Sequence, residues 1–225
     1  MKELMKIELK KLNLKGQVRG LIIANIIILL LLTMLMILLG DLSDDLDMAG
    51  HPLVTVMINA TLLIWQAALI SSLVIEEFTT KTMMQLYTYP IKRSTIILSK
   101  LGLIFILMFI FHIISQIIQH SLLMVMSTII PQFSYALPLS AILPIVLTIL
   151  LALLVGMTPL IVGLWMKSTV APVLTSIAVT AVLSNTVDMR PSLMNNLGLM
   201  IILGSISVIS VGISIRDLLK KDLII

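Results

Sequence analysis

The sequence contains no cysteine, which removes several kinds of chemistry at once. Disulfide bonds, thiol catalysis and thiolate metal ligands are all excluded. Charge is also scarce, because only 12% of the 225 residues are Asp, Glu, Lys or Arg. A soluble domain of this length usually carries about 25% charged residues. The shortage of charge therefore argues against a water-soluble fold.

Motifs for catalysis and nucleotide binding are missing as well. The sequence has no GxxxxGK[ST] phosphate-binding loop, so the chain does not hydrolyse nucleotide by that route. The HExxH and GxSxG signatures and a Ser/His/Asp grouping are also absent. We therefore expect a chain that is not an enzyme, with no catalytic residue, no metal site and no cofactor of its own.

Apolar residues dominate what is present, at 59% of the chain. Runs of about 20 apolar residues, the length that a helix needs to cross hydrocarbon, recur along the whole sequence. The pattern predicts an all-α membrane protein with one transmembrane domain over residues 1–225. We expect six transmembrane helices, at 20–39, 53–75, 96–119, 139–166, 169–187 and 193–215.

The basic residues predict how these spans are oriented. Of the 15 Lys and Arg residues, all but Arg190 lie on one side of the six predicted spans. Cytoplasmic loops of membrane proteins carry an excess of Lys and Arg. Both termini are therefore expected in the cytoplasm, and the net charge of +4 reports orientation rather than nucleic-acid binding.

Residues 1–15 predict an amphipathic helix at the membrane interface. Its apolar side consists of Leu4, Met5, Leu9 and Leu12, and lysines occupy the other side. Glu8 interrupts the apolar side. A basic amphipathic helix lies flat among lipid headgroups and is attracted to anionic lipid. A basic flank that only sets topology explains the same charges equally well.

An acidic loop follows the first span, with carboxylates at Asp41, Asp44, Asp45 and Asp47. The spacing does not match an EF-hand, and no Glu closes the set. We therefore favour a solvated loop over a calcium site.

Polar residues occur at helical spacing in the second and third spans. Asn59 and Gln66 share one face of the second span, and His112 and Gln116 share one face of the third. Polar groups that face lipid are costly, so these faces should point at protein or at a wet cavity. Two interpretations stay open, hydrogen bonds between helices and a substrate or proton path.

A third interpretation is an intramembrane enzyme that uses His112 and His120. The two residues are eight positions apart, which places them about 12 Å apart along a helix. A metal pair is therefore not expected.

In the sixth predicted span Gly198, Ser205 and Gly212 recur every seven residues. Such a face of small residues predicts a close helix contact, either within the bundle or across a dimer.

Residues 76–95 separate the second and third spans and form the longest polar segment away from the termini. Residues 78–87 contain neither Gly nor Pro and predict a short helix, which Pro90 ends. We expect no acidic or basic residue inside any span, so either the energy for transport enters from elsewhere or the chain does not pump at all. The residues expected to contact a cytosolic partner are Glu76, Glu77, Phe78, Met83, Leu86, Tyr87 and Arg93. Glu76 and Glu77 can pair with a basic residue of that partner or of the N-terminal helix.

This arrangement resembles the permease subunits of type-2 ATP-binding-cassette exporters. In that family an acid is followed by Thr, Leu, Pro, a basic residue and Lys on entry to the third span. The similar residues here are Glu76, Glu77, Thr82, Leu86, Pro90, Arg93 and Lys100. The resemblance implies that the segment forms a coupling helix that sits in a groove of an ATPase subunit. The short loop at 188–195 departs from members that fold extra helices there.

The same resemblance implies partners and a location. They are two cytosolic ATPase subunits that bind ATP and Mg²⁺, and a second permease copy, identical or different, in a bacterial cell membrane. A small permease with a plain apolar core looks most like subunits that export antimicrobial peptides such as bacitracin or lantibiotics. The alternative is a scaffold or sensor that transports nothing and docks a cytosolic protein through residues 76–95.

Overall fold

A computed structural model describes residues 2–40, 46–79, 93–129, 135–185 and 192–221. All regular structure in these ranges is helical, which confirms the predicted all-α membrane protein. The helices are α1 (Lys2–Lys11), α2 (Leu14–Gly40), α3 (Leu46–Ile70), α4 (Glu76–Thr79), α5 (Arg93–Ile129), α6 (Ile142–Val155), α7 (Pro159–Met166), α8 (Ala171–Ser184) and α9 (Leu197–Lys221). A π-helical turn, Ser71–Ile75, joins α3 to α4, and the short 3-10 turns Leu139–Ala141 and Leu193–Asn195 come before α6 and α9.

Within the described ranges, five helical stretches are long and apolar enough to cross a membrane. They are Leu14–Leu35, His51–Ile75, Thr95–Ile129, Leu139–Met166 and Leu197–Arg216. The predicted fifth span is a shorter apolar helix, α8, of 14 residues. At about 1.5 Å per residue it covers roughly 21 Å, less than the hydrocarbon thickness of about 30 Å. Six spans and cytoplasmic termini therefore stay predictions.

α1 is a separate helix rather than an extension of the first span. The chain breaks between them at Leu12 and Asn13. The side-chain oxygen of Asn13 accepts a hydrogen bond from the backbone N–H of Gly16 at 3.1 Å, which satisfies a donor in the first turn of α2. A local cap therefore starts the membrane helix and leaves α1 free to take its own direction.

The third span is longer than predicted, because α5 continues to Ile129 and has 37 residues. The extension covers residues 121–129, the first part of the uncharged stretch that follows the predicted span. Beyond it, the Tyr135 ring stacks on His120, and the Tyr135 hydroxyl hydrogen-bonds to Nδ1 of that residue. The chain after α5 is thus held against the helix that it has just left.

The fourth span is interrupted where the sequence places Pro159. α6 ends at Val155 and α7 begins at Pro159, which has no backbone N–H to continue the ladder. Gln66 fills the interruption, since its Nε2 donates to the carbonyl of Leu153 at 3.0 Å. A Cβ added at Gly156 would lie 2.3 Å from Gln66 Oε1. Only glycine therefore allows this close approach.

α3 lies at the centre of the bundle, where it packs against α2, α5, α6 and α8. Its polar residues Thr55, Asn59 and Gln66 are all buried. This confirms that the polar face of the second span points at protein. Pro144 lies inside the continuous helix α6 and does not interrupt it, although proline often kinks a helix.

Candidate coupling site at the ends of the central segment

A buried charged residue lies inside a span, so the expectation of spans free of charge is wrong. Lys100 belongs to the stretch Thr95–Ile129, and its side chain is fully buried. Its Nζ lies 2.8 Å from Glu8 Oε1 and 2.9 Å from Glu77 Oε2. It also donates to the backbone carbonyl of Leu73 at 3.1 Å. The ammonium group thus makes two ion pairs and one backbone hydrogen bond.

The two carboxylates come from different parts of the chain. Glu8 is the residue that interrupts the apolar side of α1, and it is buried against Lys100. Glu77 is the second residue of α4 and is also buried. Its other carboxylate oxygen pairs with Nζ of Lys11 on α1 at 2.5 Å. We call Glu8, Lys11, Glu77 and Lys100 the Lys100 cluster, whose two positive and two negative charges balance.

Local structure explains how these side chains meet. Glu8 and Lys11 are three residues apart on α1, so they lie on the same side of that helix. The turn Ser71–Ile75 is π-helical and holds about one residue more than an α turn. That extra residue rotates the following positions by about 100° around the helix axis. With this rotation Glu77 is buried in the cluster, whereas Glu76 is exposed.

Glu77 and Lys11, two members of the cluster, are both ionised at neutral pH. Burial raises the pKa of Glu77 and is the largest single influence, but hydrogen bonds and charge from Lys11 and Lys100 outweigh it. The pKa of Glu77 therefore lies below its ordinary value of 4.5. The hydrogen bond to Glu77 raises the pKa of Lys11 above 10.5 against the opposing effect of partial burial. Glu77 and Lys11 therefore both stay charged between about pH 4.5 and pH 10.5.

The cluster joins the two ends of the central segment. Glu77 lies at the start of the central segment, residues 76–95, Lys100 lies just after its end, and both contact α1 through ion pairs. Phe78 is part of α4 and Arg93 is the first residue of α5. The other expected contact residues, Met83, Leu86 and Tyr87, lie outside the described residues, as do Asp41, Asp44 and Asp45 of the acidic loop. A coupling helix at 78–87 stays a prediction.

Polar side chains tie α2 to α5 inside the bundle. Asn25 Nδ2 donates to the hydroxyl of Ser115 at 3.0 Å, and Gln119 Nε2 donates to the backbone carbonyl of Asn25 at 2.6 Å. The sequence analysis did not predict a role for Asn25. The one feature that could have indicated it is an amide side chain within a run of aliphatic residues. Such contacts match the interpretation of polar residues as links between helices.

The predicted polar residues of the second and third spans are all buried. Gln66 bonds across to α6, and Gln116 Oε1 lies 3.0 Å from His120 Nε2 within α5. His112 Nδ1 lies 2.8 Å from the carbonyl of Met108 in the same helix. Among the described residues, neither side-chain polar atom of Asn59 has a hydrogen-bond partner. A role for any of these residues in a substrate path stays a prediction.

The predicted small-residue face of the last span points away from the described bundle. Gly198, Ser205 and Gly212 are exposed, and a Cβ added at Gly212 would meet no heavy atom within 4 Å. α9 packs against α6 through other residues, and the hydroxyl of Ser207 donates to the carbonyl of Leu154 at 2.5 Å. Within the described ranges, this face therefore makes no close helix contact inside the bundle. Contact across a dimer stays a prediction.

Comparisons with known proteins agree with a transporter. A family model described as ABC-2 family transporter protein matches residues 4–185. The chain is also 30% identical over 118 residues to the uncharacterized protein YcbO of Bacillus subtilis (strain 168). That alignment covers 51% of this chain and 52% of the relative, so the chain spans about half the length of the curated relative that it matches. No solved structure matches the chain significantly.

Proposed function

Since the chain belongs to the ABC-2 family of transporter proteins, we propose that it is the permease subunit of an ATP-driven exporter in a bacterial cell membrane. The family makes it a multi-pass membrane component of a transporter, and its helices have the necessary length and apolar character. Hydrolysis then takes place in a separate ATPase that binds ATP and Mg²⁺. Two ATPase subunits and a second permease copy complete the proposed assembly.

The observation that carries the proposal is the Lys100 cluster. A permease driven from outside the membrane needs a cytosolic contact segment that is firmly attached to its spans. Residues 76–95 supply the segment, and the ion pairs of Glu77 and Lys100 attach its two ends to each other and to α1. We expect residues 78–87 to form a short helix with Phe78, Met83, Leu86 and Tyr87 as its apolar anchors for the ATPase, because such anchors dominate interface energies.

We propose an amphipathic substrate, with an antimicrobial peptide or peptide antibiotic as the first candidate. A cavity of about 480 Å³ between α6, α7, α8 and α9 supports an apolar route. Aliphatic side chains line it, together with the hydroxyl-bearing Thr158 and Thr175. Such a lining accepts an apolar face and leaves the charged face of a peptide at the membrane surface.

Purification with the gene neighbours is the test. The full chain is co-expressed with any adjacent ATPase gene, isolated in detergent and reconstituted in vesicles. We expect the ATPase to co-purify and a labelled cationic peptide such as a lantibiotic to move only with ATP. Substitution of the Walker A lysine of the ATPase should stop that movement. A cytosolic partner that binds without any ATP-dependent transport would instead support the scaffold or sensor.

A further inference from the structure

We propose that α1 is a working part of the coupling apparatus, and that Glu8 is the positioning residue that makes it move with the entrance of α5. The inference rests on the proposed function and assigns the N-terminal helix a role beyond lipid contact and topology. According to this inference, Lys100 transmits a displacement of the central segment, residues 76–95, to α1 and to the spans at the same time.

The packing of α1 supports this role. α1 lies against α5, and Met5 Cε is 3.6 Å from the position of a Cβ on Gly102. Leu12, at the end of α1, packs against the main apolar core. These contacts lie on both sides of the Glu8–Lys100 ion pair along α1. The helix is therefore seated on the bundle and not attached by lipid alone.

The chemistry of the contact distinguishes positioning from simple stabilisation. A buried ion pair is often no more stabilising than an apolar contact of the same volume, because both charges lose their hydration. An ammonium group held by two ion pairs and a backbone hydrogen bond does, however, favour one relative placement of its partners. Those partners belong to α1, to α4 and to the π turn, through Glu8, Glu77 and Leu73. An apolar contact could slide, and this one cannot without breaking a hydrogen bond.

Hydrogen bonds also connect the cluster to the rest of the bundle. The π turn that supplies the Leu73 carbonyl also contains Ser71, whose hydroxyl donates to the carbonyl of Thr169. Thr169 follows Lys167, which ends α7 in the left-handed conformation at φ 47°. A shift of Lys100 is therefore transmitted through one turn to the junction of α7 and α8.

The informative variant is Glu8→Gln, which keeps the shape of the side chain and removes its charge. Lys100 still faces the Glu77 carboxylate, so the fold is expected to survive. We expect the ATPase to co-purify within about twofold of wild type, while peptide transported per ATP hydrolysed falls about fivefold or more, as for a lost coupling between sites. Lys10→Gln, on the exposed side of α1, is the matched control and should behave as wild type.

A second measurement does not depend on removing charge. Because the chain has no cysteine, Met5→Cys and Gly102→Cys can be joined by a short bifunctional thiol reagent. If α1 and the entrance of α5 move as one body, the joined protein transports as well as the unjoined one. A loss of transport that cleavage of the linker reverses would overturn the inference.

The two proposals fail in different ways. Absence of a co-purifying ATPase or of ATP-dependent transport in the wild type would overturn the proposed function, and this inference with it. Wild-type transport per ATP in Glu8→Gln, in an assay where the wild type does transport, would overturn the inference alone.

Discussion

Replacing Lys100 by Met should destabilise the fold more than any exposed charge substitution. The ammonium group is fully buried and makes two ion pairs and one backbone hydrogen bond. Its loss leaves the buried carboxylates of Glu8 and Glu77 with Lys11 as the compensating charge of the cluster. Breaking a buried ion pair by removing one partner typically costs about 3–5 kcal/mol. Lys11 offsets little of this, because its side chain is 60% exposed and exposed pairs contribute about 0–1 kcal/mol.

The measurement is the free energy of unfolding in mixed detergent micelles, titrated with sodium dodecyl sulfate and followed by helicity. Lys10→Met is the control, and we expect it to lie within about 0.5 kcal/mol of wild type. The triple variant Lys100→Met, Glu8→Gln, Glu77→Gln leaves no unpaired buried carboxylate and should recover most of the loss. If Lys100→Met is as stable as the control, loss of the ammonium group leaves no costly unpaired carboxylate in the protein, and the electrostatic reasoning is wrong.

The depressed pKa of Glu77 predicts stability that is present above about pH 4.5 and lost as pH falls through the lower folded-state pKa; Glu77→Gln should lack this acid-induced loss in the same unfolding titration. Gly156→Ala should cost about 1–3 kcal/mol, because its Cβ would lie 2.3 Å from Gln66 Oε1, and adding Gln66→Ala should relieve the clash; equal stability of Gly156→Ala and wild type would contradict this. Leu86→Asp should reduce ATPase pull-down and uncouple hydrolysis from export, since an unpaired charge in a groove costs several kcal/mol; wild-type values of both would place the coupling element elsewhere. Ser205→Leu should weaken a permease dimer, because bulk separates closely packed helices, and an unchanged dimer fraction on size-exclusion chromatography would exclude this face.

Much of the architecture follows from local sequence properties. An apolar run of about 20 residues forms a membrane helix whatever its neighbours are, because lipid satisfies its side chains and the helix satisfies its own backbone. The break before Pro159 follows equally locally, from the missing N–H of proline. For the same reason the sequence predicted an all-α membrane protein and the location of the central segment between the second and third spans. The type-2 exporter resemblance rested on that segment, and the family match bears out the permease part of it.

What the sequence could not determine were the contacts between distant elements. Glu8 and Lys100 each look like a defect in an apolar surface, and only the packing of α1 on α5 makes them one buried ion pair. The π turn that rotates Glu77 into the cluster has no local signature, because its geometry depends on packing against α5 and α7. The direction of the Gly198, Ser205 and Gly212 face was likewise undecided, since a small residue fits a helix contact or an open surface equally well. Sequence thus determined which segments are apolar enough to cross a membrane. The tertiary structure decided which of their few charges meet, because burying a charge is tolerable only where a distant partner balances it.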